Sequence, residues 1–163
     1  MKDMLGNELN VGDEILFIDT ESKSFSSETI KKLTSTRCYF ENRKRFASQD
    51  AFRTIDAVIS LTALNAKMNP IWHGGEYGKD VLYHDVKIGD TVLFIDPICK
   101  RFAKGIITRL SQQQCFLDYP YGWDDTIQNT KRFYSDVISL TAIQKEDCTP
   151  NNQSYYNKSK YNF

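Results

Sequence analysis

Two stretches of the sequence decide the fold: residues 11–19 read VGDEILFID, and residues 88–96 read IGDTVLFID. The register between them continues without a gap, and after a short insertion in the second copy it closes on an identical segment. Residues 58–63 and residues 137–142 both read VISLTA. Self-similarity at a fixed spacing is the signature of an internal repeat. The chain therefore carries two copies of one small unit in tandem.

The repeat divides the chain into four parts. The turn-forming pairs Asn69-Pro70 and Gly74-Gly75 mark a linker between the copies. From Gln144 onward the sequence is polar and has no apolar periodicity, so we expect a tail that is loosely held or packs only along the barrel surface. The predicted parts are a first repeat, a linker, a second repeat and a polar tail: 1–64, 65–77, 78–143 and 144–163.

Each copy is expected to form short β-strands. Residues 15–18 and 92–95 are apolar at every position, which is typical of strands covered on both faces. A second strand is expected over 102–110, with its basic residues facing water. Two further strands and a closing strand of the second copy are expected over 114–118, 131–134 and 137–140. Five short strands per copy indicate a small barrel, and we expect no helix beyond one turn at 48–52.

A glycine pattern in the second copy resembles a known class of small barrels. The order hydrophobe-Gly-Asp-x-Val at 88–92, followed by Gly-hydrophobe-Ile at 105–107, is similar to that of the KOW and Tudor class. The resemblance implies an all-β chain of two tandem SH3-like (KOW/Tudor-like) barrels related by internal duplication. KOW modules bind RNA, DNA or polymerase, whereas Tudor modules often hold peptides in aromatic cages. The first copy departs from the KOW pattern, because Glu28 stands where the second copy has Gly105.

The start of the chain carries a second resemblance. Residues 2–13, KDMLGNELNVGD, resemble the opening of small early proteins of T-even-like tailed phages, a group that includes DNA-binding modifiers of transcription. The abundance of Asn, Lys, Ile, Tyr and Phe, whose codons are A/T-rich, fits such a source. This resemblance implies a role in transcription or DNA organisation in the cytoplasm of a bacterial host.

Basic residues cluster on the expected second strands and the hairpins that follow them. Such clusters suit a phosphate backbone, but they also protect strand edges from pairing with other chains. The chain has 21 basic and 21 acidic residues, so binding to duplex DNA would be modest, steeply salt-dependent and without strong sequence preference. The predicted nucleic-acid-binding residues are Lys31, Lys32, Arg37, Arg43, Lys44, Arg45, Lys100, Arg101, Lys104, Arg109, Lys131 and Arg132.

Aromatic residues suggest a rival function. Tyr119, Tyr121 and Trp123 lie in a predicted loop with two acidic residues, and rings combined with carboxylates suit a cationic ligand. The same loop could instead pack over the barrel mouth. The rival hypothesis is a protein-interaction module, either a phage-encoded inhibitor of a host protein or a Tudor-like peptide reader. Because the copies differ at these positions, we expect one scaffold with two different surfaces.

The sequence contains no motif for catalysis, a cofactor or a metal. It lacks a nucleophile elbow, a phosphate-binding loop and an HExxH motif, so we expect a non-enzymatic protein without a cofactor. The four cysteines have no CxxC spacing, which predicts no zinc site. Cys38 and Cys115 occupy equivalent positions and are expected in the core. The absence of a signal-like or membrane-spanning apolar run predicts a cytoplasmic protein with reduced thiols.

Overall fold

The chain divides into two compact units, Met1–Met68 and Asn69–Phe163. The structure, a computed structural model, describes residues 1–41, 50–68, 75–121 and 126–147. Within these ranges the secondary structure is almost entirely β, in agreement with the expected all-β class. The two units are called unit 1 and unit 2.

Unit 1 contains two antiparallel sheets of three strands each. The strand orders are β2-β1-β6 and β3-β4-β5, and a 3-10 turn at Ile55–Ala57 leads from β5 into β6. The last strand therefore pairs with the first. The strands of unit 1 are β1 Glu14–Asp19, β2 Ser24–Thr29, β3 Lys32–Leu33, β4 Arg37–Glu41, β5 Asp50–Thr54 and β6 Val58–Ser60.

Unit 2 has the same connectivity in one continuous sheet of five strands. The order is β10-β9-β8-β7-β11, and a 3-10 turn at Tyr134–Asp136 leads into the last strand. No pairing between the edge strands β10 and β11 joins the described residues into a closed sheet. The strands of unit 2 are β7 Thr91–Ile95, β8 Phe102–Leu110, β9 Gln114–Tyr121, β10 Thr126–Phe133 and β11 Val137–Ser139.

The continuous sheet of unit 2 has a glycine where the divided unit 1 has a glutamate. A Cβ atom added to Gly105 would lie 3.1 Å from the carbonyl oxygen of Asp118 and 3.2 Å from a ring carbon of Phe94. Glycine therefore lets β8 approach β9 closely. Glu28 occupies the equivalent position in unit 1, where β2 pairs with β1 alone and the second sheet begins only at β3.

Each unit has its own apolar core around its first strand. All residues of β1 after Glu14 and all residues of β7 after Thr91 are buried, which confirms the expectation that both faces are covered. Cys38 and Cys115 are fully buried, as expected, and burial raises the pKa of the Cys115 thiol to about 11.

A buried aspartate organises the chain before the first strand of each unit. In unit 2 the Asp80 side chain is only 1% exposed. It accepts hydrogen bonds from the backbone N–H groups of Leu82, His84 and Ser139 at 2.8, 2.9 and 2.7 Å. Asp3 accepts the equivalent bonds in unit 1, from Leu5, Asn7 and Ser60. The aspartate thereby fixes the entry segment to the closing strand.

The structure corrects two expectations about secondary structure. A helix α1, Leu140–Asp147, follows β11 although no helix was predicted there. It forms because Leu140 and Ile143 bury one face and the Ser139 hydroxyl accepts the N–H of Ala142 as an N-cap. The helical turn predicted at 48–52 is wrong within the described part, since β5 begins at Asp50 and pairs with β4.

Candidate functional site

The period of two along β4 and β9 places one aromatic residue of each strand on the outer face of its sheet. Cys38 and Phe40 are buried on either side of Tyr39, and Cys115 and Leu117 are buried on either side of Phe116. Side chains alternate between the faces of a strand, so Tyr39 and Phe116 point away from the core. Both are partly exposed.

In unit 1, cationic and aromatic side chains interleave on this outer face. The cross-strand register aligns Lys32, Tyr39 and Phe52 over β3, β4 and β5. The two rings lie 5.8 Å apart, and the Lys32 Nζ is 5.6 Å from the centre of the Tyr39 ring. The Arg37 guanidinium is 4.4 Å from the centre of the Phe52 ring, which is 43% exposed. These four residues are called the unit 1 face.

Unit 2 repeats the arrangement with different neighbours. The register aligns Arg109, Phe116 and Lys131 over β8, β9 and β10. The Arg109 guanidinium carbon is 3.7 Å from the centre of the Phe116 ring. Two exposed apolar residues of β10, Ile127 and Phe133, flank this row. These five residues are called the unit 2 face.

The cation and ring pairs occupy equivalent positions in the two units. Lys32 pairs with Tyr39 and Arg109 pairs with Phe116 at the same place in the duplicated register. Stacking on a ring restricts the guanidinium of Arg109 and leaves its N–H edge available for a carboxylate or a phosphate. The pair is therefore suited to an anionic group, and the ring supplies apolar contact area.

Several of the predicted nucleic-acid-binding residues lie on these faces, and others do not. Lys32, Arg37, Arg109 and Lys131 belong to the faces, whereas Lys31 forms an ion pair of 3.0 Å with Glu41. Lys100 and Arg101 lie exposed in the connection between β7 and β8, and Lys104 lies exposed on β8 opposite Leu93. The remaining residues of the unit 1 cluster lie outside the described residues: Arg43, Lys44 and Arg45.

Arg132 points inward and does not extend the basic surface. Its guanidinium lies 5.5 Å from the Phe94 ring, and its Nε donates to the carbonyl oxygen of Ile95 at 3.3 Å. Arg53 adopts the equivalent place in unit 1, 4.8 Å from the Phe17 ring. These arginines therefore belong to the internal structure of the units and not to a phosphate-binding row.

The predicted aromatic loop is placed differently from the expectation. Tyr119 belongs to β9, is 6% exposed and packs edge-on against Phe94 with ring centres 5.0 Å apart. Tyr121 is the last residue of β9, and Trp123 lies outside the described residues. The ring of Tyr119 is buried because the inward register of Cys115 and Leu117 continues to it.

Sequence reasoning missed the ring residues of the two faces. Tyr39, Phe52 and Phe116 carry no motif, and aromatic residues in strands are most often assigned to a core. A usable signal was the period of two, because Cys38 and Cys115 were expected inside and their neighbours must then face outward. The same signal, applied to β10, places Arg132 inward opposite Cys115.

Comparisons with known proteins leave the activity open. Residues 1–61 match the profile of a family described as a domain of unknown function, DUF7205. No curated protein matches the chain, so the resemblance to phage early proteins gains no support.

Several solved structures match the chain, and one of them is aligned over 77% of it. It is the crystal structure of the four MBT repeats of Drosophila melanogaster Sfmbt in complex with the peptide RHR(me)KVLR. Its sequence is 13% identical, the TM-score is 0.26, and the match covers 77% of this chain and 35% of that chain.

In the part that the structure describes, no helix is both long and apolar enough to cross a bilayer.

Proposed function

We propose that the chain is a non-catalytic protein-binding module whose two units are small SH3-like barrels of the KOW and Tudor type. The observation that carries the proposal is the exposed cation and ring pair that recurs in the two units, Lys32 with Tyr39 and Arg109 with Phe116. Arginine and aromatic residues are enriched at the centres of protein interfaces, where a few of them supply most of the binding energy.

The strand connectivity supports the SH3-like assignment. In each unit a 3-10 turn precedes a last strand that pairs with the first. In unit 2 the second strand, β8, pairs with β7 at its start and with β9 at its end, and its register shifts between Ile107 and Arg109. One long bent strand shared in this way lets a five-stranded sheet fold over a single core.

The charge distribution favours a protein partner over duplex DNA. Basic and acidic residues balance within each unit as well as over the chain. Carboxylates lie on the same surfaces as the cations. Glu41 pairs with Lys31, and Asp118 follows Phe116 by two positions on β9 and so shares its face. Duplex DNA presents about one negative charge per 1.7 Å and is best matched by an unbroken basic row. A face of mixed sign is typical of complementary protein surfaces.

A capture experiment with paired variants tests the proposal. Wild-type chain would be immobilised and exposed to nuclease-treated lysate of its source, together with the double variant Tyr39→Ser, Phe116→Ser. We expect a stoichiometric protein partner for wild type and its loss from the double variant. Val11→Ser is the matched control, because Val11 is 62% exposed and belongs to neither face.

Nucleic acid is the alternative outcome. Random duplex and single-stranded DNA would be titrated into the same proteins at low salt. Micromolar binding that falls when Lys100, Arg101 and Lys104 are replaced by Gln would favour the nucleic-acid hypothesis. A partner that the double variant captures as well as wild type does would show that the faces are not the binding surface.

A further inference from the structure

The outward side chains of β10 form a row with a definite chemical order. Ile127, Asn129, Lys131 and Phe133 share one face, because the guanidinium of Arg132 is directed inward toward Phe94. Along an antiparallel strand, alternate side chains are roughly 6.8 Å apart. The row therefore runs from an apolar end, through a polar and a basic position, to a second apolar end.

Residues of the neighbouring strands β8 and β9 add to the chemical character of three positions in this row. Ile127 lies opposite Pro120, which adds apolar surface at that end. Asn129 donates to a carboxylate oxygen of Asp118 at 2.8 Å, so that carboxylate already has a partner. Lys131 lies opposite Phe116, on whose ring Arg109 stacks, so two cations flank one ring. The basic position is therefore held by two side chains, on the strands that lie to either side of β9.

We propose that the unit 2 face binds an extended, acidic segment of a partner protein. The inference rests on the proposed function. A strand-like peptide lying along β10 would place its own alternate side chains at the same spacing as the row. A carboxylate of the peptide would pair with Arg109 and Lys131, and a large apolar side chain two residues away would cover Phe133, which is 42% exposed.

Unit 1 lacks this order of residues and serves as an internal control. Phe52 stands at the position of Lys131, and Thr54 stands at the position of Phe133. The unit 1 face therefore has neither the paired cations around one ring nor the apolar end. We therefore expect the acidic segment to bind unit 2 in preference to unit 1.

Selection from a display library of short random peptides tests the inference with the full chain. We expect enrichment of peptides in which Asp or Glu lies two residues from Leu, Ile, Phe or Trp. The affinity of one selected peptide would then be measured by fluorescence anisotropy. Replacing its acidic residue by the amide should weaken binding about tenfold or more, and so should Arg109→Gln with Lys131→Gln in the protein. Lys87→Gln, an exposed substitution off the face, should have no effect.

The outcomes separate this inference from the proposed function. Enriched peptides without an acidic residue, no enriched peptide, or affinities that Arg109→Gln and Lys131→Gln leave unchanged would each overturn the inference. The proposed function would survive these results if Tyr39→Ser with Phe116→Ser still abolished capture of a protein partner. Peptide binding that single-stranded DNA displaces and that does not depend on the acidic residue would point to a nucleic-acid ligand and would overturn both.

Discussion

Replacement of Asp80 by alanine should destabilise unit 2 more than any exposed substitution. The carboxylate is 1% exposed and accepts three backbone N–H groups, those of Leu82, His84 and Ser139. The Nδ1 atom of His84 lies 3.1 Å from its second oxygen. Asp80→Ala removes every one of these acceptors and leaves the donors in an enclosed site.

The expected loss follows from the number of donors. A buried donor without a partner costs about 1 to 3 kcal/mol, and two of the three N–H groups, those of Leu82 and Ser139, belong to fully enclosed bonds. Removal of a buried charge and entry of water into the vacated volume both offset part of this cost. We therefore expect the free energy of unfolding of unit 2 to fall by about 3 kcal/mol.

Urea denaturation combined with amide hydrogen exchange would measure this loss. The amide of Ser139 should lose protection, because the missing carboxylate is the acceptor of its buried hydrogen bond. Asp85→Asn is the control, since Asp85 is exposed and pairs only at the surface with Lys79 at 2.6 Å. Unchanged stability and unchanged protection of Ser139 in Asp80→Ala would refute the assignment of a structural role to this aspartate.

Three further substitutions test other parts of unit 2. Gly105→Glu, which copies Glu28 of unit 1, should cost about 1 to 3 kcal/mol in urea denaturation, because the new Cβ overpacks β8 against β9. Ser139→Ala should cost about 1 kcal/mol and lower the helical signal in circular dichroism, since it removes the N-cap of α1. Burial raises the pKa of Asp136 to about 6, so stability should fall as the pH rises from about 4 through about 6. Asp136→Asn should remove that decline and stabilise the chain at pH 7 by up to about 3 kcal/mol, as measured by denaturation across pH.

The parts of the fold that sequence could predict are those with a local signal. Residues 15–18 and 92–95 are apolar at every position, so neither face of these strands is suited to water and both were predicted to be covered. The second strand of the second copy was predicted with the bounds that β8 has, Phe102–Leu110. Each of these signals is contained in a short run of consecutive residues, so no tertiary contact is needed to interpret it.

The parts that sequence could not predict depend on distant partners. Asp80 receives the amide of Ser139 across 59 positions, and before folding it is an ordinary polar residue in a loop. The helix α1 escaped prediction because Leu140 and Ile143 are the buried residues among 140–144, where burial is described, and the polar composition around them is typical of a tail. The inward position of Arg132 required the register of β10 against β9. Basic residues were therefore overcounted as surface residues.

The exposed cation and ring pairs recur in both units, and their small contribution to stability favours a role in binding. An exposed cation over a ring contributes only about 0.5 to 1 kcal/mol, whereas the buried aspartates secure three backbone donors each. Stability alone is thus a sufficient reason for the aspartates but a weak one for Lys32 over Tyr39 and Arg109 over Phe116. The expectation of one scaffold with two different surfaces stays a prediction, and the two units share one cation and ring pair in two settings. Since the neighbours differ, with Phe52 in one unit and Lys131 in the other, the units are suited to related ligands of different charge.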